Sequence, residues 1–487
     1  MRYKRIEKKP TLLLSLIPLL TLVAMLSVCI TFFGEDSLSG PNQIALLMAT
    51  AVCLCIAIGV CGARWRRVER LISDTVGSAS VSIVILLLIG MMSGAWMVSG
   101  AVPTLIYYGV QILSPTFFLF CTCVICAIVS VMTGSSWTTI ATIGVALIGI
   151  GEVLGIDKVW SAGAIISGAY FGDKISPLSD TTVLASSSAQ VDVFTHIRYM
   201  MFTTVPTICL TLVIFIVAGI CMSKSGTINT AEYTEGLRQT FNITPWTLLV
   251  PLLTGVLILK KVPALVTLFL SGLGAGIMAA ILQPEIVANI AGSNTVTPQA
   301  LLKGTMITFC SSTAIDAHNA SLNALISTNG MAGMLNTVWL ILCAMCFGGA
   351  MSSTGMLQCI VEHIAKVVRG KISLVSSTAL TGISLNLMTS DQYMSIVLTG
   401  NMYREVYRKM GFEGRLLSRT TEDSTTVTSV LIPWNTCGLT QATVLGVATT
   451  AYLPYCFFNY LSPVMTILIS AITGRRNPVC EEEVPAA

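Results

Sequence analysis

Thirteen residues at 132–144, MTGSSWTTIATIG, and thirteen at 388–400, MTSDQYMSIVLTG, align without a gap and share four identities. Trp137 then faces Tyr393, and Thr139 faces Ser395. Each stretch is followed by an acid and hydroxyls: Asp180, Thr181 and Thr182 after the first, Asp423, Ser424 and Thr425 after the second. Carboxylate, hydroxyl and backbone carbonyl oxygens are the ligands that a hard cation such as Na+ prefers. A carboxylate in low-dielectric surroundings also holds a proton when no cation is near. One site that takes either ion exchanges them by competition alone. Asp180 and Asp423 are therefore the expected Na+ ligands, with Thr181 and Thr182 beside the first and Ser424 and Thr425 beside the second adding hydroxyl oxygens. The competing reading is structural, since such hydroxyls also cap helices and join them in lipid. Duplication favours function, because acids inside a membrane are costly unless used.

Other acids extend the set. Asp173 stands beside Lys174, either paired with it or turned toward an aqueous vestibule. Asp316, within SSTAIDAHN at 311–319, is a second cation ligand, a proton carrier or a loop residue. Asp391 takes the place that Ser135 holds in the first motif, so the copies are not chemically identical. Glu422 and Asp423 form a close acid pair, in which one member is expected to be protonated or paired with Arg419. His196, His318 and His363 titrate in the range that would sense pH, although His196 beside Arg198 reads equally well as an interfacial anchor. Trp137 and Trp434 are expected to pack or to line a cavity.

These groups sit in a chain that cannot clothe itself in water. Of 487 residues, 54% are apolar and 10% charged, where a soluble domain has about 25% charged. Apolar runs such as Leu12–Phe33 and those at 44–61, 81–98, 202–222 and 452–472 approach the roughly 20 residues a spanning helix needs. The fold class expected is an all-α polytopic membrane protein with about 10–13 transmembrane helices. Leu12–Phe33 follows Lys4, Arg5, Lys8 and Lys9 like a signal peptide, but its apolar core is long and no small-residue cleavage site follows, so it reads as the first span. The 16 cysteines lie mostly inside apolar runs without acidic or histidine neighbours, and read as reduced, buried small hydrophobes. A net charge of +4 gives no reason to expect nucleic acid.

Charge placement sets the organisation. The loop at 401–420 carries Arg404, Arg408, Lys409, Arg415 and Arg419, whereas its counterpart at 151–159 has Glu152, Asp157 and Lys158. Basic loops face the cytoplasm, so the two copies should run in opposite directions, as inverted repeats. The expected layout is N-terminal helices at 1–74, a first repeat at 75–222, a polar linker at 223–242, a second repeat at 243–474 and a short tail at 475–487. Met132-Thr133-Gly134-Ser135-Ser136 and Gly172-Asp173-Lys174-Ile175-Ser176-Pro177 make poor continuous helices. Irregular backbone survives at membrane depth only inside protein or around water, so broken helices or re-entrant hairpins are expected there.

The run at 167–200, SGAYFGDKISPLSDTTVLASSSAQVDVFTHIRYM, together with 133–144, resembles the NhaC family of bacterial sodium/proton antiporters. Looser similarity of pattern extends over nearly the whole chain, including Phe347-Gly348-Gly349 and 421–435. The resemblance implies inverted repeats with paired re-entrant hairpins, and exchange of external protons for internal Na+ or Li+ across a bacterial cell membrane. It also brings in a relative that exchanges sodium and malate for protons and lactate. Thr133, Ser135, Ser136, Asp173, Ser176, Asp180, Thr181 and Thr182 match the family's motif positions. Asn329 and Ser352 depart from it, standing where relatives often carry an arginine and a nearby acid.

Four functions are weighed against these residues. A sodium/proton antiporter needs the acids described, with Na+ and H+ as cargo, the lipid bilayer as surroundings and no resident cofactor. A homodimer is compatible with it. A sodium-coupled organic anion or amino-acid exchanger would want an arginine or a helix N-terminus at its site, and the two repeat motifs contain no arginine. An intramembrane protease would need a second aspartate after tyrosine or an HExxH motif, and neither occurs. A channel would also use polar filters, but paired acids in inverted halves point to alternating access.

Overall fold

In lipid the backbone has only itself to bond to, and long runs of leucine, isoleucine and valine accordingly coil into helices. The computed structural model describes residues 9–473 except 34–36, 38, 223–229, 261, 318–321, 324–325 and 367. His318, the tail at 475–487 and the first residues of the expected linker lie outside the described residues. Among the described residues, extended pairing is limited to one bridge between Thr313 and Thr328. Among the described residues, eight helices are long and apolar enough to cross a membrane, and ten if each of two bent pairs is one span.

The first half contains α1 (Leu12–Phe33), α2 (Pro41–Cys55), α3 (Trp65–Ser78), α4 (Ser80–Val98), α5 (Ala101–Ile112), α6 (Phe118–Thr133), α7 (Ser136–Val153), α8 (Lys158–Ile175), α9 (Asp180–Ser188) and α10 (Val193–Met222). The second contains α11 (Ala264–Leu282), α12 (Leu335–Ser353), α13 (Met356–Ala365), α14 (Lys371–Thr389), α15 (Gln392–Lys409), α16 (Gly414–Thr421), α17 (Thr436–Leu445) and α18 (Phe457–Ile472), the last preceded by Thr449–Tyr455. A π turn, Glu422–Thr426, continues α16.

A constant shift of 256 residues (390 minus 134) carries α4, α5, α6, α7 and α9 onto α12, α13, α14, α15 and α17 within three residues, and carries the starts of α8 and α10 onto Gly414 and Thr449, where the second copy is broken. Hydrogen bonds recur at the same shift. The Thr133 and Thr139 hydroxyls lie 3.2 Å apart, and those of Thr389 and Ser395 2.8 Å. Ser135 accepts from the Thr138 amide at 3.2 Å, and Asp391 from the Met394 amide at 2.8 Å. Ser130 donates to the Ala169 carbonyl, and Asn386 to the Thr425 carbonyl, both at 2.6 Å. Gly134 at φ 65° and Ser390 at φ 59° make the same left-handed turn, which ends one helix and lets an N-cap start the next. The duplication is thus carried by backbone and side-chain bonding together.

That register corrects one feature of the sequence reading. Asp180 falls opposite Thr436, and Asp423 opposite Ser167, so the two acid-hydroxyl strings are not counterparts. A three-residue string of acid and hydroxyls is short enough to recur by chance, whereas the bonding pattern is not.

The halves interlock. α12 packs on α2 and α3, and α4 packs on α11, where Trp96 donates to Ser271 at 2.8 Å. α6 and α8 lie against each other along their length. Gly168 and Gly172 face the backbone at Cys123 and Ala127, a small-residue stripe that admits close approach in lipid. Leucine, valine and isoleucine face outward on α1, α10 and α11, as the bilayer as solvent permits. The fifteen described cysteines are all free, eight of them buried.

Candidate cation site

Three breaks in helices build the site. α6 ends at Gly134, and Ser135, in extended backbone, caps the start of α7. α8 ends at Ile175 because Pro177 disfavours helix at Ser176. Ser179 then caps α9, accepting from the Thr182 amide at 3.4 Å. The freed carbonyls find partners: Ser176 donates to the Val131 carbonyl at 2.8 Å, and Thr182 to the Lys174 carbonyl at 3.0 Å. Asp180 occupies the first turn of α9, where a helix N-terminus favours negative charge.

A cavity of about 590 Å³ opens among these breaks. Its wall carries Asp173, Asp180, Thr133, Ser135, Ser179 and Thr181. Trp137 and its repeat counterpart Tyr393 also line it, with Gln392 between the halves. Ser78, Ser82, Thr138 and Thr267 add further hydroxyls, and apolar side chains such as Val81, Ile85 and Val262 complete it. No lysine, arginine or histidine lines the wall among the described residues. Asp180 is exposed to the cavity, while Asp173 is buried at its edge and accepts from the Ser136 hydroxyl at 2.7 Å. In the second half the equivalent bond joins Ser429 to Gln392, also at 2.7 Å, so the copy is neutral.

The second-half acids lie elsewhere. Asp423, fully buried, forms an ion pair with Lys174, which also donates to Ser462 at 3.0 Å. Arg419 Nε stands 3.9 Å from Asp423, and its guanidinium donates to Ser470 at 2.8 Å. Adjacent positions on a helix diverge, so Asp173 turns to the cavity and Lys174 to the other half. Ser424 donates to the Thr420 carbonyl at 2.6 Å, and the Thr425 hydroxyl, buried, has no bond partner among the described residues. Asp391, buried, caps α15 and is absent from the cavity wall. Asp316 is exposed on a loop, accepting from Asn323 at 3.0 Å, and does not line the cavity. His196 is buried, with Nδ1 2.8 Å from the Ser418 hydroxyl. Trp434 donates to the Leu387 carbonyl at 2.8 Å.

The structure therefore brings together the first-motif residues Thr133, Ser135, Asp173, Asp180 and Thr181, with Ser136 and Thr182 supporting them. It separates from them Asp316, Asp391, Asp423, Ser424 and Thr425. Sequence reasoning missed Gln392 as a wall residue, although its place in the second motif beside Asp391 was a usable signal. It also missed the Lys174–Asp423 pair, which no local pattern announces.

Comparison with known proteins places the chain in a family. The profile described as the Na+/H+ antiporter family matches residues 6–220 and 168–474. The chain is 36% identical to the Na(+)/H(+) antiporter NhaC of Bacillus subtilis (strain 168), covering 84% of this chain and 88% of that one. It is 33% identical to the malate-2H(+)/Na(+)-lactate antiporter of the same organism, over 89% and 90%. It is 34% identical to the arginine/ornithine antiporter ArcD of Halobacterium salinarum, over 96% and 93%. With its bilayer-length apolar helices, this is a multi-pass membrane protein, and the chain belongs to the Na+/H+ antiporter family.

Proposed function

We propose that this protein exchanges Na+ or Li+ for H+ across a bacterial cell membrane, the two ions competing for Asp180 and Asp173 in the cavity. The observation that supports this most is the cavity wall, which pairs two carboxylates with hydroxyl oxygens and, among the described residues, carries no basic side chain. Hydroxyls of Thr181, Ser179, Thr133 and Ser135 supply neutral ligands at the spacing a helix break allows. The empty site takes protons on its carboxylates, and arrival of Na+ displaces them. Exposure of the same site to each side in turn, by alternating access between inverted halves, then gives obligatory exchange. Asp423 serves as a further cation or proton group only when Lys174 leaves it.

A second reading rests on volume. A cavity of about 590 Å³ has room for more than a bare ion, as small-molecule sites span about 300–1,000 Å³. Sodium-coupled exchange of organic anions, of the malate/lactate type, would use that space, although among the described residues the wall offers an anion no positive side chain.

One assay separates the readings. Purified protein in liposomes should show proton flux driven by Na+ and Li+ but not K+, unchanged by malate or lactate. Flux that requires an organic anion selects the second reading, and flux with no alkali ion dependence removes the first. Orientation is tested by labelling single cysteines in intact cells. Positions at 401–420 should react only after the cytoplasm is opened, and positions at 151–159 from outside. Labelling of both from one side would defeat the inverted arrangement.

A further inference from the structure

The cavity is large for a bare ion and wrongly charged for an anion. Its volume of about 590 Å³ falls among small-molecule sites. Asp173 and Asp180 stand on its wall, and no basic side chain among the described residues balances them there. One Na+ neutralises one of the two. The hydroxyls beside them have spent their protons elsewhere. Thr181 donates to Glu422 Oε1 at 3.1 Å, so Ser179, 2.9 Å from Thr181 Oγ1, is the donor of that second bond. Thr133 donates to the Ser135 carbonyl at 3.2 Å. These oxygens offer the cavity lone pairs, and an ammonium group, with three donors and no acceptor, is their complement. Trp137 and Tyr393 hold equivalent positions in the two motifs, yet both reach this one cavity. Tyr393 stands within electrostatic reach of Asp173 and Asp180, and an aromatic face attracts organic cations. Val81, Ile85 and Val262 add apolar surface, which favours methylene groups and gives a metal ion nothing.

We propose that the cavity also binds small organic ammonium ions in place of Na+, with aliphatic diamines the best fit. The inference rests on the cavity being the exchange site. One ammonium group pairs with Asp180 and the hydroxyl oxygens beside it, and the second with Asp173. The rings of Trp137 and Tyr393 supply cation–aromatic contact, and the methylene stem lies on the valine and isoleucine surface. A single ligand then neutralises both acids, which one Na+ does not. An amino acid with the same chain is rejected, because its carboxylate meets two like charges and no wall cation among the described residues.

The test is calorimetric titration of the purified full-length protein in detergent with 1,4-diaminobutane, alone and in rising Na+. Binding should be one to one, with an apparent Kd that grows in proportion to added Na+. Ornithine, the same diamine bearing a carboxylate, should bind roughly tenfold or more weakly. Trp137→Leu and Tyr393→Leu should each lower diamine affinity relative to Na+ affinity roughly 3- to 30-fold, the range of one cation–aromatic contact. Wild type that binds Na+ but not the diamine overturns the proposal, as does diamine binding that Na+ leaves unchanged. Ornithine binding as tight as that of 1,4-diaminobutane overturns the ligand class, and an unchanged affinity ratio in both variants overturns the aromatic contacts. Should a variant fail to give monodisperse protein, the wild-type competition and the ornithine comparison decide. Absence of Na+-driven proton flux in liposomes, measured without amine, would instead count against the cavity as the exchange site, which keeps the two failures apart.

Discussion

Asp180→Asn is expected to abolish Na+-driven proton movement in everted vesicles while leaving the protein folded. The side chain stands on the cavity wall in the first turn of α9, so the isosteric amide disturbs no core packing. Its helix-end interaction is worth about 0.3–1 kcal/mol, a small fraction of the stability of a folded domain. The cation loses far more. A unit charge about 4 Å away, at an effective dielectric near 20, contributes about 4 kcal/mol, or roughly a thousandfold in affinity. The amide also cannot hold the exchanged proton, so raising Na+ would not restore coupled movement. Quenching and recovery of a pH-sensitive dye provide the readout. Asp316→Asn, on its exposed loop, is the matched control and should retain near wild-type flux. Full activity in Asp180→Asn would remove that residue from the mechanism.

Lys174→Met should lower stability strongly, and Lys174→Met combined with Asp423→Leu should recover most of the loss. Both partners are fully buried, and removing one member of such a pair costs about 3–5 kcal/mol, because the other charge remains unpaired. Arg419 at 3.9 Å from Asp423 will offset part of that. Replacing both charges with apolar groups is often neutral or stabilising. Thermal unfolding midpoints of the single and double variants in detergent give the coupling. Strictly additive losses would show that the ion pair does not act as a unit. The double variant's Na+ flux then decides what Asp423 does. Retained exchange makes it a strut between halves, whereas lost exchange in a stable protein makes it a participant.

How much was legible in advance differs between the halves. The first-motif acids could be located from the sequence because the signals are local: glycine and proline punctuation at Gly134 and Pro177, hydroxyl caps at Ser135 and Ser179, and acids in an apolar chain. Structure places Asp173 and Asp180 together for those same reasons. The second-half acids could not be assigned by the same means. Asp423 followed by Ser424 and Thr425 looks like Asp180 followed by Thr181 and Thr182, yet the helical register sets Asp423 opposite Ser167.

Composition and hydropathy alone determined that this is a helical membrane protein, and the paired motifs alone determined that its chain is duplicated. Both conclusions need only local chemistry: lipid excludes unpaired backbone polar groups, and a helix-breaking turn needs particular residues in order. What only tertiary structure decided is which acids face the cavity and which face a cation. Lys174 and Asp423 stand 249 residues apart, and Thr181 and Glu422 stand 241 apart. Such pairings depend on how rigid helices pack in three dimensions, and a one-residue change in register turns a side chain about 100° around its helix. No short stretch of sequence contains that angle.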